Sequence, residues 1–119
     1  MIFIIISLVV NVLVAGYMGL ALGFRLYRIL PRMDQVFGSD TVARQILACF
    51  YLAIAVFSIT ALVNTDFLLR IALILFPLQI FYKILTVFLV KEKNNPVPKF
   101  NLAISVLHSV SLYFVLTKI

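Results

Sequence analysis

The chain has 119 residues, 65% hydrophobic and only 12% charged, with a formal net charge of +6. Ordinary soluble domains are about one quarter charged, so this composition excludes a water-soluble globular domain and points to lipid. The ionisable residues gather in short segments between long uncharged runs, leaving no length for a separate soluble domain.

Residues 2–24 contain no charged side chain. About 20 apolar residues at 1.5 Å rise cross a hydrocarbon core of about 30 Å, so this run is expected to be the first span. It lacks a basic leading segment and exceeds a usual signal-peptide core, which favours a retained helix. Asn11, Ala15, Gly19 and Gly23 recur every four residues, putting an amide and three small side chains on one stripe. Small residues at this spacing let two helix backbones approach closely, so the stripe is expected to pack on another helix, of this chain or a neighbour.

In the first connection Arg25, Arg28 and Arg32 alternate with Leu26, Ile29 and Leu30. That pattern suggests an interfacial extension of the first helix as far as Pro31. The "GSDT" that follows offers Ser39 or Asp40 as an N-cap, and the second span is expected over 44–63. Cys49 is the sole cysteine, which excludes an internal disulfide. The stretch "NTDFLLR", with Asp66 and Arg70, reads as the second connection.

The third span, 69–90, carries Gln79, Tyr82, Lys83 and Thr86 at i, i+3, i+4 and i+7, one polar stripe on an oily helix. Pro77 just before it removes a backbone donor and predicts a kink. Lys83 lies roughly 10 Å from the end of its span at 1.5 Å per residue, so its stem nearly allows it to snorkel. Alternatively it is buried and needs a counter-charge. The acids Asp34, Asp40, Asp66 and Glu92 all lie in or beside connections, leaving a loop acid folding back, a lipid phosphate or another chain's carboxylate. On this second reading the stripe is a contact for a partner protein or a bound lipid.

"NNPVP" at 94–98 ends the third span, and the fourth is expected over 100–117. Asn101, Ser105 and His108 share one of its faces. A lone intramembrane histidine is usually a neutral hydrogen-bonding residue; ligation of a metal, haem or pigment is the minor reading. One His and one Cys complete neither a tetrahedral zinc site nor a bis-imidazole haem, so no metal or cofactor of the chain's own is expected.

The fold class is therefore all-α, an integral-membrane four-helix bundle forming one domain over 1–119. Lys and Arg concentrate at the first and third connections (Arg25, Arg28, Arg32 and Arg44; Lys91, Lys93 and Lys99). The positive-inside rule then puts both termini outside, as in a bacterial inner membrane. The same charges suit anionic headgroups, and without a dedicated module they do not suggest nucleic acid.

Catalytic signatures such as G-x-S-x-G, CxxC, a glycine-rich phosphate loop or paired intramembrane carboxylates do not occur. The expected function is a non-catalytic accessory subunit of a larger membrane complex, with other integral-membrane subunits and lipids as partners. The alternative is a small four-helix transporter or channel acting as a homodimer. In length and span count the chain is similar to the small multidrug-resistance exporters, whose first helix carries a membrane-embedded glutamate; here the first helix offers only Asn11.

Overall fold

The computed structural model describes residues 1–24 and 33–119. Arg25, Arg28 and Arg32, and with them the expected interfacial extension to Pro31, lie outside the described residues. The rest forms helices α1 (Ile2–Gly23), α2 (Met33–Phe37), α3 (Val42–Val63), α4 (Thr65–Leu89) and α5 (Val97–Lys118), with no strand among the described residues. In hydrocarbon each backbone amide and carbonyl needs a partner within the segment, which a helix supplies. α1, α3, α4 and α5 are each long and apolar enough to cross a bilayer.

The junctions depart from the sequence expectation in instructive ways. Thr41, not Ser39 or Asp40, caps α3: its hydroxyl accepts the Arg44 amide at 3.4 Å. Thr41 N–H itself bonds back to the Ser39 carbonyl at 2.8 Å, so the chain is still turning at Ser39 and Asp40. The second connection is one residue long. Asn64 N–H bonds to the Thr60 carbonyl and ends α3, while its side chain accepts from the Asp66 amide at 3.2 Å and opens α4. Asp66 and Arg70 therefore belong to α4, which begins at Thr65 instead of residue 69 and runs on through Pro77.

The prolines of "NNPVP" help start a helix as well as end one. Pro98 lies in the first turn of α5, where a missing N–H removes no helical bond, and α5 begins at Val97 instead of residue 100. Asn95 closes the corner: its Oδ1 accepts from the Val97 amide at 3.0 Å and its Nδ2 donates to the Val36 carbonyl at 2.8 Å. The first and third connections thus meet at one end of the bundle.

α1 packs on α3, α3 on α4, α4 on α5 and α5 back on α1, giving an all-α four-helix bundle whose longest dimension is 42 Å. A bilayer with its interfaces measures about 40–45 Å. Outward-facing positions are large and apolar, among them Leu13, Ile74, Phe81, Phe88 and Val106. Buried positions include Ser7, Asn11, Gln79, Lys83, Asn101, Ser105, His108 and Ser111. These polar side chains sit among an apolar core that includes Ile4, Leu8, Leu22, Ile54 and Phe76, and an apolar surface with the polar groups turned inward is the arrangement expected when the surrounding solvent is hydrocarbon.

Arg44, one of the basic residues of the topology argument, is not a free loop charge. It is buried, donates to Asp34 at 2.6 Å and to the Gly38 carbonyl, and lies 3.8 Å from Asp40. Gly38 has φ +76°, a backbone conformation that side-chain-bearing residues adopt at a cost.

Candidate functional site

Two faces of α1 organise the interior. One turns to α3. A Cβ built on Gly19 would stand 2.7 Å from Leu52 Cγ and 3.0 Å from the Leu52 backbone nitrogen, so glycine is what permits this approach. A Cβ on Gly23 would meet Ala48 Cβ at 3.5 Å, and one on Gly16 would meet Ala55 Cβ at 3.8 Å. Ala15 is buried, while Gly23 sits at the exposed rim. The helix opposite these glycines is α3 of the same chain.

The other face of α1 turns to α4 and α5 and is polar. Ser111 of α5 donates to the Phe3 carbonyl at 2.7 Å, leaving Ser7 to donate to Ser111 Oγ at 2.6 Å. One turn further along α1, Asn11 leaves the glycine stripe and pairs with Gln79 of α4. Asn11 Nδ2 donates to Gln79 Oε1 at 2.7 Å, and Gln79 Nε2 returns a bond to Asn11 Oδ1 at 2.9 Å. A reciprocal amide pair satisfies both groups where an unpaired amide would be costly.

One turn beyond Gln79 comes Lys83. Its amine is buried, the residue being 4% exposed, and it donates to Asn101 Oδ1 of α5 at 3.2 Å. Asn101 is oriented by its neighbours. Its Nδ2 donates to Thr86 Oγ1 at 3.2 Å, Thr86 donates to the Lys83 carbonyl at 2.6 Å, and Ser105 donates to the Asn101 carbonyl at 2.8 Å. The amide oxygen is thereby left for the amine. Lys83 does not extend to the bundle surface as snorkelling requires, and within the chain its partner is the neutral amide of Asn101 and not a loop acid folding back.

The remaining members of the expected stripe stay beside Lys83. Its Nζ lies 5.0 Å from the centroid of the Tyr82 ring, which sets itself edge-on to Phe50 of α3 at 5.3 Å, and Thr86 serves the Asn101 network. His108 is fully buried and stacks on Phe76 of α4, centroids 5.1 Å apart. Among the described residues neither of its ring nitrogens meets a protein partner, and no group of three His, Cys, Asp or Glu is placed to hold a metal ion.

Beside Lys83 lies a cavity of about 250 Å³. Val14 and Met18 of α1, Phe37 of α2, Tyr51 of α3 and Phe100 of α5 supply its walls. Lys83 and Asn101 bring a charge and an amide to a largely apolar lining, and Val36 and Pro96 line it where the first and third connections meet. The sequence shows Lys83 and Asn101 as separate polar positions; the cavity depends on α2 folding under the bundle, which no hydrophobic periodicity announces.

Apolar walls with one amine and one amide offer a guest burial of a hydrocarbon segment and a fixed charge for its polar end. No family model matches the chain, and neither a curated protein nor a solved structure matches it.

Proposed function

We propose that this protein is a membrane-embedded binding protein that holds a small single-chain amphiphile in the cavity beside Lys83, a binding role and not a catalytic one. The observation that carries this reading is the buried amine in the wall of an otherwise largely apolar cavity of about 250 Å³. Small-molecule pockets usually span roughly 300–1,000 Å³ and are mostly apolar with a few placed polar groups, so this one suits a single chain and not a two-chain lipid. An accessory-subunit role is compatible with this reading, which rests on the cavity and on the Lys83–Asn101 contact within the chain. Within a larger assembly, such a protein would act as the amphiphile-holding component.

The test is native mass spectrometry of the protein released from detergent after incubation with decanol. A 1:1 adduct is expected for the parent, and its loss in Val14→Trp, which fills the cavity and leaves Lys83 in the sequence. An adduct retained at full level in Val14→Trp would contradict the reading.

The basic end of the bundle, where the first and third connections meet, faces the cytoplasm in this proposal, with both termini outside. Exposed Lys91, Lys93 and Lys99 support it under the positive-inside rule. In a Cys49→Ser background, cysteines at Gln35 and Lys93 should be shielded from an impermeant reagent in intact cells while one at Thr65 reacts. The reverse labelling would overturn the orientation.

A further inference from the structure

We infer that the amphiphile's head is a carboxylate, which completes an ion pair with the Lys83 amine inside the cavity; this rests on the cavity-binding reading above. Lys83 is 4% exposed and lines the cavity. An ammonium carries three donors, and among the described residues the acceptor it meets is Asn101 Oδ1 at 3.2 Å. A neutral amide satisfies one donor and the Tyr82 ring, 5.0 Å from Nζ at its centroid, adds a cation–π contact, but no opposite charge of the chain's own meets the amine, which is expensive in a low-dielectric interior.

The chain's own acids are committed elsewhere. Asp34 and Asp40 gather around Arg44, Asp66 lies at the start of α4 near the opposite end, and Glu92 is exposed. A guest's carboxylate is the charge that would balance the site one to one.

Shape and donor number select among anions. A phosphate head carries more charge and is usually held by several donors, arginine forks or backbone amides. Among the described residues one lysine lines the cavity, and no arginine does. Val14, Met18 and Phe100 receive the hydrocarbon segment. The exposed Lys91, Lys93 and Lys99 at this end raise the local concentration of anionic amphiphiles at the membrane surface.

The experiment compares decanoate, decanol and decyl phosphate as probes, by calorimetric titration of the full chain in phosphatidylcholine nanodiscs with empty discs as reference. Decanoate should bind the parent about tenfold or more tightly than decanol. Lys83→Met should keep the decanol affinity and lose the preference. Asn101→Asp, which gives Lys83 an internal carboxylate, should lose it as well, so the test stands even if the methionine variant fails to fold. Equal binding of decanoate and decanol to the parent, or a preference that survives Asn101→Asp, overturns the carboxylate and leaves the cavity reading in place. Tighter binding of decyl phosphate than of decanoate also overturns it. Binding of none of the three overturns both.

Discussion

Along α1, the side turned to α3 and the side turned to α4 and α5 are built from different chemistry. Toward α3, Gly16, Gly19 and Gly23 meet Ala55, Leu52 and Ala48 at close range, the Leu52 side chain filling the space over Gly19. Toward α4 and α5, Ser7 and Asn11 reach across to Ser111 and Gln79 through hydrogen bonds of 2.6–2.9 Å. In water both sides would draw on the hydrophobic effect. In lipid that force is missing between helices, leaving close packing and interhelical hydrogen bonds. The chain uses one on each side of the same helix.

The two sides should therefore fail differently. The largest effect is expected at Gly19. Leucine there must displace Leu52, whose backbone nitrogen already stands 3.0 Å from the position of the first added carbon. Overpacking of this kind costs about 1–3 kcal/mol or more, and Gly19→Leu should lose its monodisperse peak in detergent. Gly16→Ala, facing Ala55 Cβ at the ordinary contact distance of 3.8 Å, should melt close to the parent. A Gly19→Leu protein as stable as the parent would break the close-packing half of the comparison.

On the polar side the signature is non-additivity. Asn11→Leu and Gln79→Leu should each cost about 1–2 kcal/mol, because each strands a buried amide. The double variant, with both amides gone, should cost clearly less than the sum. Thermal unfolding of the three variants decides it, and strict additivity would mean that the pair is not a unit. A smaller loss, about 1 kcal/mol or less, is expected from Ser111→Ala, which removes both the acceptor of Ser7 and the donor to the Phe3 carbonyl.

Much of the bundle is legible in the sequence because lipid imposes a length and forbids exposed backbone polar groups. The uncharged runs give the four spans to within a few residues. The second connection is misplaced because of charge. Asp66 and Arg70 suggest a loop, yet both lie in the opening turns of α4, where interfacial water tolerates them. The polar stripes are visible but their pairing is not. Asn11 shares a period of four with glycines and still turns to Gln79, because a helical stripe drifts around the axis as it rises.

Lys83 shows a second limit. A charge prompts a search for the opposite charge, and the four acids of the chain exhaust that search. The amide at Asn101 stood in plain view on one face of the fourth span with Ser105 and His108. Only the packing of α4 on α5 brings its oxygen to the amine. The cavity is further removed still, since it needs α2 and the Asn95 contact with Val36.

The central claim is that the buried amine of Lys83 is engaged by Asn101 within its own chain, at the edge of the cavity. A double-mutant cycle on Lys83→Met and Asn101→Leu tests it most directly, measured by thermal unfolding of the parent, both single variants and the double variant in one detergent. A hydrogen bond between these side chains predicts a coupling of about 1 kcal/mol or more. Single effects that add to within about 0.3 kcal/mol would show that the two residues do not meet and would contradict the account.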